Sequence, residues 1–428
     1  MSLRVNSEIG KLRSVLVHLP GPEIDRMVPS MMEELLFDDI LFGGRAREEH
    51  RRFQQVLGFV ADEVLDIQDL LAEVLALPES RGAILEDLGR TLGWGPDMDY
   101  RLRDLPSEQL AQALVAGLEK PAQEIAQSAS ELYWLPPVPN YFFQRDPLVV
   151  VGDRAIRCAM ATGARMREPL LSGYVFQHHP RFSRPDIFWF QEFSAEFGRQ
   201  TAYARMRPRI EGGDILVLRE DVLVIGYSER TAKTTIERLS ESLKAEKSPV
   251  KKIYVVAIPP ARSYMHLDTV FTMISAGECL VYGPMILPDG TEEADVYECD
   301  LTRRQIAWIS EKDLLSALKK QKIDLAPIRC GGEDPIAERR EQWTDGANAF
   351  NLAPGLLMQY DRNERTIQQL SRSGYEVVKV EDLLLGKRDL DWKPGKKIVI
   401  SHEADELSRA RGGPRCMTMP LVREEIET

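Results

Sequence analysis

The sequence predicts an α/β fold in which five ββαβ units close into a ring, with a small all-helical insertion. Two observations lead there. Four stretches follow one plan: DPLVVVGDRAIRCAM (146 to 160), EGGDILVLREDVLVIGYSERT (211 to 231), HLDTVFTMISAGECLVYGP (266 to 284) and DGANAFNLAPGLLMQYDRN (345 to 363). Each opens on polar, mostly acidic residues, runs into an apolar strand, turns at Gly, Asp or Pro, and runs into a second strand. Their starts lie 55 to 79 residues apart, as expected of a repeated unit that cannot bury its apolar faces alone. From about Leu77 to Gln127, by contrast, leucine and alanine recur every three or four residues among acidic ones, broken by Pro78, Gly93-Trp94-Gly95-Pro96 and Pro106. That is helical spacing. Residues 1–76 and 128–428 are therefore assigned to the α/β body and 77–127 to the helical insertion.

In chain order, IGKLRSVLVHLPG reads as a strand, with Val15 to Val17 as its apolar run and Pro20-Gly21 as its stop. Met31 to Phe42 and Arg45 to Ala61 read as helices, the second with Phe53, Val56, Leu57 and Val60 at helical spacing. A strand from Glu63 to Ile67 precedes a helix from Gln68. Helices from Thr231 to Glu246 and from Glu364 to Ser373 follow their hairpins, and strands from Lys252 to Ile258 and from Tyr375 to Val380 follow those helices. Pairing of the Val15 strand with Met417 to Val422 supplies the fifth unit. A ring so closed leaves no free sheet edge. The polar residues that open each hairpin then gather at one end of its axis.

With 428 residues, 43% hydrophobic and 29% charged, the chain suits one large domain with an insertion, or two domains. No window approaches the roughly eighteen apolar residues of a membrane span, and no basic-then-apolar signal pattern opens the sequence, so a cytoplasmic protein is expected. Asp and Glu total 67 against 55 Lys and Arg, and a formal charge of -12 argues against nucleic acid or an anionic membrane as the main partner. The five cysteines, Cys158, Cys279, Cys299, Cys330 and Cys416, form no CxxC pair, which argues against a disulfide scaffold or structural zinc. A homo-oligomer stays open.

The convergent residues are Asp146, Glu211, Asp214, His266, Asp268, Asn348 and, through the C-terminal strand, Cys416. Cys416 follows a turn-forming RGGPR, where a thiol is a candidate nucleophile and Arg411 and Arg415 could stabilise its thiolate. Carboxylates buried together raise each other's pKa unless a cation lies between them. A guanidinium, planar and able to pair with carboxylates in bidentate fashion, fits that place. A divalent metal is the rival, disfavoured because His266-Leu267-Asp268 is the only His/Asp cluster in the repeats and no HExxH occurs. Taken singly, Asp146 before Pro147 caps a turn, Glu211 with two glycines closes a loop, and His266 is a hydrogen-bonded core histidine. Recurrence at equivalent positions of a repeat is what joins them. His18, His50, His178, His179 and His402 lack such a setting and read as structural or exposed. EGGD also looks like part of a phosphate-binding loop, but a strand follows it and not a helix.

Over nearly its whole length the sequence resembles the bacterial arginine deiminase family of guanidino-modifying enzymes. The resemblance runs from IGKLRSVLVHLPG through LLFDDILF, PNYFFQRDP, ARMREPLL, EGGD, ERT, HLDTVF and ERREQWTDGAN to RGGPRCMTMP. It implies a five-fold pseudosymmetric α/β propeller with a helical insertion, hydrolysing L-arginine to L-citrulline and ammonia through a covalent Cys thiouronium, with no metal or organic cofactor. On matching positions, Cys416 would be the nucleophile and His266 the acid and base. Asp146 and Asp268 would grip the guanidinium, and Glu211 would contact both that group and His266. Asn140, Phe143, Arg165 and Arg230 would hold the α-amino acid end, and Arg411 would be a mobile residue near the entrance. Two departures stand beside the site, Gln144 where a Thr is common and Arg415 where some members have His.

Four other readings share some of these features. An arginine amidinotransferase of the same superfamily uses the same Cys, His and carboxylates but passes the amidino group to an amine. Agmatine deiminase would leave Arg165 and Arg230 without a substrate carboxylate to bind. A non-catalytic ribosome-binding propeller would have no reason to keep a thiol, an imidazole and three carboxylates together, and a cysteine protease would find those carboxylates repelling its oxyanion.

Overall fold

The computed structural model describes residues 2–125, 132–191, 208–288 and 290–426. The first strand, Leu12–Val17, lies antiparallel to Met419–Arg423, with Val15 opposite Pro420 and Leu16 opposite Met419, and parallel to Glu63–Asp66. The expected pairing of the two ends of the chain is thus present. Pro420 is tolerated because its strand forms an edge of this sheet.

Four more sheets repeat the plan of an antiparallel hairpin, a helix and a third strand parallel to the second. Leu148–Val151 and Arg154–Arg157 are joined by Phe188–Gln191. Ile215–Arg219 and Val222–Tyr227 are joined by Lys252–Ala257. Phe271–Ser275 and Glu278–Val281 are joined by Ala326–Arg329, and Phe350–Ala353 and Leu356–Tyr360 by Ile398–His402. The returning helices are Arg167–His178, Lys233–Ala245, Leu314–Lys320 and Glu364–Arg372. Val296–Asp300 and Trp308–Glu311 widen the sheet of Lys252–Ala257, and Glu376–Lys379 that of Ile398–His402.

Strand alternation distributes the apolar side chains between neighbouring cores. Val222 and Val224 pack with Tyr254 and Phe271, whereas Leu223 and Ile225 face the opposite way, toward Val149 and Ile253. Leu148 and Val150 belong to a core with Leu16, Leu170 and Leu421, while Val149 and Val151 belong to that of Ile225. Met273 and Ile274 divide between the cores of Tyr254 and of Leu357, and Leu357 and Met358 between the latter and that of Val15. Because both faces are covered, these strands read as continuous apolar runs.

The predicted helix at Arg45 to Ala61 is found at Gly43–Leu57, but Met31 to Phe42 is helical only over Pro29–Met31 and Met32–Leu35. Leu36 turns left-handed at φ 68° and ends it. The remainder is a loop held from outside: Asn140 Nδ2 donates to the Leu35 carbonyl (2.7 Å), an Arg262 N–H to that of Leu36 (2.6 Å), and Phe42 N–H to Glu406 (2.8 Å). Its Leu36, Phe37, Ile40 and Leu41 stand at helical spacing in the sequence, but only Phe37 and Leu41 are buried.

The stretch from 77 to 127 holds the helices Pro78–Leu92, Pro96–Arg103 and Ser107–Ala116 and the short turn Ala122–Ile125. The first two begin on proline, whose missing N–H would be unpaired there anyway. Ile84, Leu88, Leu102 and Leu114 pack against Leu71, Val74, Leu170 and Tyr174. It is not wholly helical, since Leu118–Glu119 pairs with Tyr133–Leu135 in a two-stranded ribbon. Residues 126 and 127 lie outside the described residues. No helix among the described residues is long and apolar enough to cross a membrane.

Candidate active site

The polar residue that opens each hairpin is bonded to the next opening. Gly212 N–H donates to the Asp146 carbonyl (3.0 Å). Leu267 N–H donates to Asp214 Oδ1 (2.8 Å), Asn348 Nδ2 to the Asp268 carbonyl (3.3 Å), and Arg415 N–H to Asn348 Oδ1 (3.0 Å). Arg145 N–H donates to the Cys416 carbonyl (3.0 Å) and so returns the circuit to Asp146. Glycine is needed where these turns crowd. A Cβ on Gly213 would lie 2.4 Å from His266 Nδ1, and one on Gly413 2.4 Å from Asn348 Oδ1.

At the centre, His266 Nε2 and Glu211 Oε2 are 2.7 Å apart, while Glu211 Oε1 accepts from Ala161 N–H (2.8 Å). The other ring nitrogen, Nδ1, is 3.8 Å from Asp146 Oδ1. Both terminal nitrogens of Arg165 donate to Asp146 Oδ2 at 3.1 Å, and the same guanidinium is bidentate to Glu168. Cys416 Sγ lies 3.3 Å from Asn348 Nδ2 and 3.8 Å from Asp268 Oδ2. Arg415 clamps that carboxylate oxygen at 2.8 Å while pairing with Glu8 at 2.9 and 3.2 Å. The second oxygens, Asp146 Oδ1 and Asp268 Oδ1, are buried without a hydrogen-bond partner.

The charges follow from this packing. Burial opposes the imidazolium of His266, but the Asp146 carboxylate, the bond to Glu211 and the Asp214 charge prevail and lift it to about 10. Burial likewise opposes Glu211, yet His266, Arg165 and Arg230 lower it to about 2. Burial and the charges of Asp268, Asp146 and Asp345 hold the Cys416 thiol well above its ordinary range. Burial outweighs Arg165 at Glu168, which rises to about 7.

A pocket of about 410 Å³, part of it open to solvent, is lined by Asp146, Glu211, His266 and Cys416 together with Asn140, Phe143, Arg165, Arg230 and Arg411. Nine of the ten residues to which the resemblance gives a role therefore meet there. Asp268 is the exception, set behind Cys416, and Asp214 is used up on Leu267 and on Ser228, whose Oγ donates at 2.6 Å. Asn348 touches the thiol. Arg230 makes no ion pair among the described residues, whereas Arg165 is already committed to two carboxylates. Arg411, at φ 66°, stacks 3.3 Å from the Trp343 ring centre and reaches Asp38 at 3.5 Å.

Some roles differ from expectation. Arg415 does not lend its charge to the thiol, because Glu8 and Asp268 neutralise it. Glu8 and Glu168 were not picked out in the sequence: Glu8 takes its meaning from Arg415, 407 positions away, with no local signal, whereas Glu168 pairs with Arg165 three residues before it, a spacing that could have marked it. Ligand-type atoms of Asp146, Glu211 and His266 lie within 4.8 Å of one another, a spacing a metal ion could use. In this structure the guanidinium of Arg165 rests against both carboxylates.

A family model described as arginine deiminase matches residues 33–89, 108–389 and 392–423. A protein named arginine deiminase from Listeria welshimeri is 35% identical over 441 residues, covering 99% of each chain. One of the same name from Bacillus thuringiensis subsp. konkukian is 33% identical over 439 residues, again covering 99% of each. Among solved structures, an amidinotransferase of saxitoxin biosynthesis from Microseira wollei superposes with a TM-score of 0.52 at 14% identity, covering 99% of this chain and 98% of that one. The N-terminal domain of a cyanobacterial arginine dihydrolase gives 0.51 at 14% identity, covering 96% and 98%. These two likenesses show the mixed α/β fold alone.

Proposed function

From the premise that the chain belongs to the arginine deiminase family, matched over nearly its whole length, we infer that it hydrolyses L-arginine to L-citrulline and ammonia. The observation that carries the site assignment is the pair of orphaned oxygens, Asp146 Oδ1 and Asp268 Oδ1, buried beside the thiol and the imidazole. A buried acceptor without a donor costs about 1 to 3 kcal/mol. A flat cation bearing several N–H groups satisfies two of them together.

In this reading the guanidinium enters between the two carboxylates, and its charge offsets the repulsion that holds Cys416 protonated. The thiol proton leaves to solvent and the thiolate attacks the guanidinium carbon. His266, held through Nε2 by Glu211 and presenting Nδ1, gives its proton to the departing nitrogen, so that ammonia and not an amide anion leaves. Water then adds to the thiouronium carbon while Nδ1 takes one of its protons, and collapse expels the thiolate and releases citrulline as the remaining hydroxyl proton passes to solvent or to the departed ammonia. These steps balance without a metal or cofactor. Arg230 meets the substrate carboxylate, with Asn140, Phe143 and Arg165 beside it and Arg411 at the mouth.

We also propose that the five sheets stand around one axis as a propeller, with 77–127 inserted into the body formed by 1–76 and 128–428. The hydrogen-bond circuit through the hairpin openings and the alternation of sheets with shared cores support this closure. A cytoplasmic setting is supported by five free thiols, which persist where disulfides are kept reduced.

The test is incubation with arginine in heavy-oxygen water. Citrulline labelled at its ureido oxygen, with equimolar ammonia, is expected, and added glycine yields no guanidinoacetate. Ornithine released with guanidinoacetate and without ammonia would overturn the hydrolase reading in favour of the transferase.

A further inference from the structure

Beside the active-site pocket, and separated from it by one wall, lies a second and larger cleft of about 1900 Å³, part of it open to solvent. Its floor and sides include Trp94, Trp134, Leu132 and Pro137. Its polar groups are mostly donors. Arg167 is 5% exposed, and its Nε has no hydrogen-bond partner although a terminal nitrogen donates to the Pro136 carbonyl. The indole Nε1 of Trp134 is likewise buried and unpartnered. Lys120 and Arg101 stack on the Trp134 ring, 4.9 and 4.3 Å from its centre. The one acid on the lining among the described residues, Glu34, is exposed. Glu168, next to Arg167 in sequence, is taken by Arg165 and supplies it no hydrogen bond.

We propose that this cleft binds a small carboxylate with an apolar or aromatic body, its charge on Arg167 and its body against Trp94 and Trp134. A buried cation lacking a bonded counter-ion gains most from an anion that also brings its own apolar surface. The site bears on the neighbouring pocket through the shared wall, a coupling that rests on the deiminase reading. Gly163 and Ala164 line the cleft and belong to the turn Gly163–Arg165, whose last residue lines the active-site pocket. Leu35 lines the cleft and its carbonyl holds Asn140. Occupancy therefore shifts the arginine KM more than kcat, because the groups it moves bind substrate without joining the chemistry.

Phenylbutyrate serves as probe and phenylbutyramide as its neutral counterpart, with binding read by calorimetry on the full chain. This readout is independent of turnover, so a failed deiminase reading does not mask the result. Millimolar or tighter binding of the carboxylate is expected, weakened by about tenfold or more in the amide and in Arg167→Gln, and retained when arginine is saturating. Trp94→Ala, which removes apolar wall alone, should weaken both probes about equally. Equal affinity for acid and amide, unaltered binding in Arg167→Gln, no binding at millimolar concentration, or displacement by arginine in simple competition would each overturn the proposal.

Discussion

Replacing Glu211 by Gln keeps the side-chain volume and the acceptor for Ala161 N–H, and removes one negative charge from beside His266 Nε2, 2.7 Å away. A hydrogen bond between charged partners contributes about 1.5 to 3 kcal/mol, and one pKa unit corresponds to about 1.4 kcal/mol. His266 should therefore fall by about one to two units from its value of about 10. In the proposed mechanism the imidazolium is the form that protonates the leaving nitrogen, and it exists below that pKa. Lowering the pKa moves the alkaline limb of the kcat/KM profile to lower pH by the same about one to two units. The amide also donates where the carboxylate accepted, which favours the wrong tautomer, so kcat should fall about a hundredfold or more. Ammonia release measured across neutral and alkaline pH at fixed ionic strength reads both effects. A variant whose alkaline limb coincides with the parent's would refute the idea that Glu211 holds the imidazolium.

Cys416→Ser should abolish turnover while calorimetry still detects arginine binding, since the hydroxyl nearly preserves volume but lacks the thiolate's nucleophilicity. Citrulline production near the parent rate would remove Cys416 from its role. Arg165→Ala leaves Asp146 and Glu168 buried without their cation, so a stability loss of about 3 to 5 kcal/mol is expected in thermal unfolding. Arg230→Ala should spare stability and instead narrow the preference for arginine over agmatine, and an unchanged ratio would place the carboxylate elsewhere. Gly213→Ala drives a methyl against the His266 ring, so kcat should drop about a hundredfold while Gly277→Ala, with no heavy atom within 4 Å of its Cβ, changes nothing.

Much of the fold was legible because the hairpins are buried on both faces, which writes uninterrupted apolar runs such as VLVIGY and KIYVVA into the sequence. The openings of those hairpins were legible because polar residues recur at equivalent places. What escaped has a common cause, which is dependence on partners distant in the chain. The segment after Leu35 carries helical spacing, but Asn140, Arg262 and Glu406 capture its backbone groups and hold a loop. Arg415 looked like a charge donor to the neighbouring thiol until Glu8, about four hundred positions away, was seen to share it with Asp268. Asp214 looked like a ligand residue and proves to fasten one hairpin opening to the next.

The pairing of Leu12–Val17 with Met419–Arg423 has a consequence for how the enzyme comes into being on the ribosome. Synthesis is vectorial, so Asp146, Glu211 and His266 emerge and can fold long before Cys416 exists. Until the last strand arrives, Leu12–Val17 is paired on one side only, by Glu63–Asp66, and its other edge stays open to foreign strands. Closing a contact across so much chain is entropically slow. A nascent chain stalled before Cys416 would therefore be adhesive and, on the proposed mechanism, inert, and the moment that seals this edge is the same moment that delivers the thiol.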